Sequence, residues 1–244
     1  MTYCCALRLK QGLIFISDTR TIAGVDHISV FRKLYTFGLE GERFVAIQAA
    51  GNLATTQAVI GHLKNQLALG QEPNLNSVKT MFEAAELVGS LVKKVIHNVA
   101  PEPDDQQSYY CSLLLGGQIG EQEMQLYNIY PQGNFICATK DTPFFQIGES
   151  KYGKPILDRA LSYDMPLDDA LRCSLISFDS TLRSNVSVGL PLDCLVYNID
   201  SLHIPLGKRI YEEDPYFAGI SKQWSETLKK GLHELPTPTL DYLE

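Results

Sequence analysis

The chain has 244 residues, 45% of them hydrophobic, and a formal net charge of −7. That composition supports a sizeable core, and the absence of any basic stripe excludes a nucleic-acid surface built on phosphate contacts. No apolar run approaches the roughly 20 residues of a membrane-spanning helix, and the start alternates like a strand rather than a secretion signal, so a cytoplasmic protein without a membrane partner is expected.

The runs YCCALRL and LIFISD, separated by KQG, predict a first hairpin, and RKLYTFG with RFVAIQAAG around LEGE predict a second. The first fifty residues thus read as two hairpins of one sheet. After Gly51, helical spacing of Leu53, Val59, Ile60, Leu63 and Leu67 predicts a helix capped by Asn52. A second helix is expected from about 77 to 100, ending at Pro101 and Pro103. Four strand-like runs follow, YYCSLLLGG, EMQLYNIYP, NFICAT and FFQIG, read as a second set of antiparallel strands. Two more helices come next, in KYGKPILDRALSY and LDDALRCSLISFDSTLRSN, then strands in DCLVYNID and LHIPLG, then a helix in PYFAGISKQWSETLKKGL.

Antiparallel strands alternating with paired helices predict an α+β fold in which two sheets stack face to face and a helix pair covers each outer side. Residues 1–244 read as one domain, with 211–244 a candidate helical appendage that docks either on its own domain or on a neighbour. Cys4, Cys5, Cys111, Cys137, Cys173 and Cys194 lie in apolar runs without metal-ligand spacing, which predicts buried reduced thiols and neither metal nor cofactor.

Thr2 follows a methionine that is removable because threonine is small. An N-terminal threonine holds a hydroxyl nucleophile and an α-amine of unperturbed pKa about 7.7–8.0, able to accept its proton near neutrality. SDTR ends the second strand and FRK opens the next hairpin, so Asp18, Arg20 and Lys33 are candidates to converge on Thr2. A lysine there would favour the neutral amine, and an aspartate would keep the lysine charged and placed. The plainer reading of the same residues is a surface ion pair.

The stretches MTYCCALRL, GLIFISDTRT, AGVDHISVFRKLYTF and AAGNLA resemble the proteasome β-subunit superfamily of N-terminal nucleophile hydrolases, most of all its bacterial ancestral β-subunits, the Anbu family. The resemblance implies the four-layer αββα fold and Thr2 as nucleophile after loss of Met1, with Asp18 and Lys33 as its charge partners. It further implies Arg20 as the arginine of Asp-x-Arg, Gly51 as an oxyanion-stabilising backbone position or simply a helix-entry turn, and Ser150 as a further catalytic residue, a hydrogen-bonding or proton-relaying group near the amine. Ser187 matches the serine of the family's Asp-x-x-Ser-Gly, but Ser184 stands where its aspartate would be. Implied are a threonine-type endopeptidase acting on peptide or unfolded protein and a homo-oligomer, open helical or ring-like, with no particular unfoldase specified. The alternatives are a non-catalytic assembly subunit and an amidase for small amides.

Overall fold

The computed structural model describes residues 1–23, 27–239 and 241. In chain order these form β1 (Tyr3–Leu9), β2 (Gly12–Asp18), β3 (Arg20–Ala23), β4 (His27–Val30), β5 (Leu34–Leu39), β6 (Arg43–Gly51), α1 (Leu53–Ala68) and α2 (Met81–Val99). There follow β7 (Cys111–Ile119), β8 (Gln125–Ile129), β9 (Phe135–Cys137), β10 (Phe144–Gly148), α3 (Lys154–Ala160), α4 (Leu167–Ser184), β11 (Leu192–Asn198), β12 (Lys208–Ile210) and α5 (Pro215–Glu234).

Two five-stranded antiparallel sheets stack on each other, one ordered β10-β1-β2-β11-β12 and the other β5-β6-β7-β8-β9. Alternation along single strands builds the layers. In β1, Cys4 and Ala6 face the opposing sheet while Cys5 and Leu7 face Leu157, Ala170 and Phe178 of α3 and α4. In β6, Phe44 and Ala46 face inward while Val45, Ile47 and Ala49 pack under α1 and α2. Both faces of β1, β2 and β6 are therefore covered, which explains their near-continuous apolar sequences. This is the four-layer αββα arrangement.

The helices begin where their caps dictate. The Asn52 side chain accepts from the Thr55 N–H at the head of α1, and Thr80 accepts from the Glu83 N–H at the head of α2. α2 starts at Met81 rather than near Ser77 because the Asn74 side chain ties residues 74–77 into a turn by accepting from the Asn76 and Ser77 N–H groups. Asp214 caps α5, whose Phe217 is buried with the α3/α4 core.

Four expectations need correction. The two N-terminal hairpins belong to different sheets, because β1 and β2 are flanked on their free edges by β10 and β11, and the chain from Thr19 to Lys33 carries β5 across to the other layer. That crossing contains a separate two-stranded ribbon, β3-β4, which the sequence reading did not anticipate. The later strands likewise divide, with β7, β8 and β9 extending the sheet of β6 while β10 returns to β1. The strand read in LHIPLG lies instead at Lys208–Ile210, since Leu202 and Gly207 adopt positive φ and Pro205 has no N–H to pair. Finally, five cysteines are buried but Cys137, on the edge strand β9, is exposed. Among the described residues no helix is long and apolar enough to cross a membrane.

Candidate active site

Thr2 heads β1, between strand ends that fix its backbone on both sides. Its carbonyl accepts from the Glu149 N–H at 2.6 Å. Gly148 permits this approach, with φ +82° and a hypothetical Cβ only 2.0 Å from the Thr2 oxygen. On the other side, Asp18 at the end of β2 accepts from the Tyr3 N–H at 3.0 Å. The Tyr3 ring locks the strand beneath, stacked on Phe178 with its hydroxyl bonded to Ser177 and Gln146.

Asp18 and Lys33 form a buried ion pair. Lys33 Nζ donates to Asp18 Oδ1 at 2.7 Å and to the Arg20 carbonyl at 2.6 Å, and the Gly189 N–H reaches Asp18 Oδ2 at 3.4 Å. Burial pushes the Asp18 carboxyl above its ordinary range, while the Lys33 ammonium and the two backbone N–H groups pull back toward the ionised form. The lysine therefore has a fixed partner and a fixed position under the cleft floor.

A cleft of about 260 Å³ opens above this pair, lined by Met1, Thr2, Lys33, Gly51, Arg32 and Tyr35 among others. Gly51 sits on its rim at φ +112°, where an added Cβ would stand 2.4 Å from the Tyr110 carbonyl, so only glycine fits both the turn and the neighbouring strand. Cys4, just below, is no rival nucleophile: burial drives its thiol far above the usual range, and its Sγ points to the Ala49 carbonyl.

The structure thus brings Thr2, Asp18, Lys33 and Gly51 together. Arg20 joins only through its carbonyl. Its guanidinium turns away, donating to the Val186 carbonyl at 2.8 Å and covering Gly189. Ser150 follows Glu149 and is half-buried, yet it is not among the described residues lining the cleft. Ser187 lies in the loop after α4, its N–H bonded to the Asn185 side chain. Ser184 is exposed at the end of α4.

Two participants escaped the sequence reading. Asn185 is the buried polar group of that loop, and its Nδ2 donates to Glu149 Oε2 at 2.8 Å. Glu149, itself buried, thereby links the loop over Asp18 to the strand end that holds Thr2. Their signal was a polar pair flanking otherwise apolar elements, which nothing local distinguishes from surface residues. The AGVDHIS stretch cannot be fully placed, since Gly24, Val25 and Asp26 lie outside the described residues. No group of three or more His, Cys, Asp or Glu suited to a metal occurs among the described residues.

Comparison with known proteins gives a consistent result. The proteasome subunit family model matches residues 2–189. Anbu (ancestral β-subunit) from Yersinia bercovieri is 54% identical, with 97% of this chain and 99% of that chain covered and a TM-score of 0.92. The structure described as a helical assembly of the Anbu complex from Pseudomonas aeruginosa is 52% identical over 98% and 99% of the two chains, TM-score 0.94. Anbu from Hyphomicrobium sp. strain MC1 is 42% identical over 97% and 99%, TM-score 0.90. No curated protein matches.

Proposed function

The chain belongs to the proteasome subunit family, among its Anbu (ancestral β-subunit) members, and from that premise we propose that it is a threonine-type endopeptidase subunit whose nucleophile is Thr2. The observation that carries this is the placement of Thr2, clamped between Glu149 and Asp18 strand ends, in a cleft floored by the buried Lys33–Asp18 pair. Once Met1 is removed, the α-amine of Thr2 becomes the base for its own hydroxyl. Lys33, held in place by its ion pair with Asp18, disfavours protonation of that amine by charge repulsion. The Thr2 oxygen then attacks the substrate carbonyl, the negative oxygen of the tetrahedral intermediate faces the Gly51 rim, and the proton passes from the amine to the leaving nitrogen. Water resolves the resulting ester and restores Thr2.

Asp18 and Lys33 act as charge partners, Gly51 as the rim that lets substrate backbone approach, and Arg20, Ser187 and Ser150 as supports of the surrounding loops. The substrate is a peptide or unfolded protein, and the site is cytoplasmic. We extend to this chain a homo-oligomeric state, open helical or ring-like, in line with the helical assembly of its Pseudomonas aeruginosa relative. One observation favours a second reading: with Met1 in place, the Thr2 amine is a peptide nitrogen and the methionine itself lines the cleft. A chain that keeps Met1 is then a non-catalytic assembly subunit.

Intact mass and N-terminal sequencing of protein from its own cell, followed by labelling with an epoxyketone, separate the two. The expected result is a chain short by one methionine, labelled once at Thr2, with label and hydrolysis lost to background in Thr2→Ala. Labelling at another residue, or hydrolysis undiminished in Thr2→Ala, removes Thr2 from the chemistry.

A further inference from the structure

The cleft around Thr2 carries a cation that no carboxylate among the described residues is bonded to. Arg32, between β4 and β5, is exposed and lines the cleft together with Thr2. Its backbone carbonyl accepts from the Tyr35 hydroxyl at 2.6 Å, but among the described residues its guanidinium has neither carboxylate nor carbonyl partner. The other cation lining the cleft, Lys33, is already matched by Asp18. No Asp or Glu lines the cleft among the described residues. In a chain of formal net charge −7, the described lining of this cleft is locally positive, and the positive charge is that of Arg32.

Arg32 also borders a neighbouring cleft of about 120 Å³ between β5 and β11-β12. The other two cations there are spoken for, Lys208 by Asp214 and Arg209 by Asp193 through two bonds of 2.7 and 2.9 Å. Among the described residues, Arg32 is therefore the cation of both clefts that makes no ion pair, the Asp193 carboxylate of the second cleft being held by Arg209. Ile22, Leu53 and the Tyr35 ring give the cleft apolar lining among its threonines, and charge-assisted hydrogen bonds strengthen where water is partly excluded. At about 260 Å³ the Thr2 cleft lies just below the usual ligand-pocket range of about 300–1,000 Å³, which suits a single side chain or chain end rather than a folded partner.

We propose that Arg32 is a specificity-determining residue that binds a substrate carboxylate, so that the cleft favours peptides carrying an acidic side chain or a free α-carboxylate next to the bond presented to Thr2. This rests on the cleft being the substrate cleft. A guanidinium suits the task because its fork meets both carboxylate oxygens at once, whereas an ammonium offers a point charge.

Binding tests the idea without turnover. In the full Thr2→Ala chain, fluorescence anisotropy would compare peptide pairs differing only as Glu against Gln, and others only as C-terminal acid against amide. A charge-assisted hydrogen bond predicts an affinity gap of about tenfold within one pair. That gap should close in Arg32→Gln, persist in part in Arg32→Lys and shrink as salt rises. A gap in the Glu/Gln pair assigns the side chain as the source, and one in the acid/amide pair assigns the chain end. Equal affinities within both pairs, absence of binding included, or a gap that survives Arg32→Gln, overturns the proposal. Failure of the parent chain to hydrolyse anything would count against Thr2 and leave the Arg32 result standing.

Discussion

The two ends of the inter-sheet layer both bury polar groups, and they do so to opposite effect. At the far end Gln118 accepts from the Tyr197 hydroxyl at 2.8 Å and from the Asp200 N–H at 2.9 Å, while its Nε2 donates to Asp200 Oδ1 and to the Gln122 carbonyl. This closed set holds Asp200 at φ 60°, an unusual backbone state for a residue with a Cβ. At the near end Asp18 and Lys33 are bonded too, but they are charged and they underlie an open cleft. Gln48 and Ser17, buried in strands of the facing sheets, have no protein hydrogen-bond partner among the described residues. Polar burial at one end closes on itself, whereas at the other it places a buried ion pair beneath an open cleft.

Substitutions can test that contrast. The largest effect is expected from Lys33→Ala, which leaves Asp18 as an uncompensated buried charge. Removing one partner of a buried pair typically costs about 3–5 kcal/mol, and denaturant unfolding together with epoxyketone labelling should show both reduced stability and lost labelling. If labelling survives in the folded fraction, the pair is structural and the two ends are alike. Gln118→Ala should cost less, about 1–3 kcal/mol in all, because only its bond to the Tyr197 hydroxyl is fully buried and that hydroxyl still accepts from the Leu202 N–H, and the folded protein should label at the parent rate. A labelling defect there would erase the distinction from the other side. The smallest change is expected from Gln48→Met, which keeps the volume and removes two unpaired polar atoms. An increase in unfolding free energy on the order of 1 kcal/mol is expected, and a clear destabilisation would mean that Gln48 has an essential partner.

Apart from β3, β4 and β12, the strands, like the main helices and the Asn52 cap, were legible in the sequence because each depends on local periodicity and side-chain capping. Assignment of the hairpins to sheets was not. Alternation in YCCALRL and in RFVAIQAAG announces strands buried on both faces but says nothing of which edge meets which partner, and β10 and β11 come from more than a hundred residues away. At the site, Thr2, Asp18 and Lys33 were readable from chemistry and resemblance, since their types are informative wherever they stand. Arg20 was readable as a position but not as a direction, because its guanidinium follows the Val186 carbonyl, a long-range contact. Glu149 and Asn185 were hidden for the same reason: their meaning lies in a bond between two loops 36 residues apart in sequence.

The placement of β1 has a practical corollary for handling the molecule. Most chain ends fray at the margin of a fold, but this one begins in an inner strand, flanked by β10 and β2. Any affinity handle or reporter attached ahead of Thr2 would have to leave through the cleft and would plug it. The last turns of α5, whose Leu228 and Leu232 are exposed in the single chain and line no part of the cleft, offer an attachment point that leaves it open.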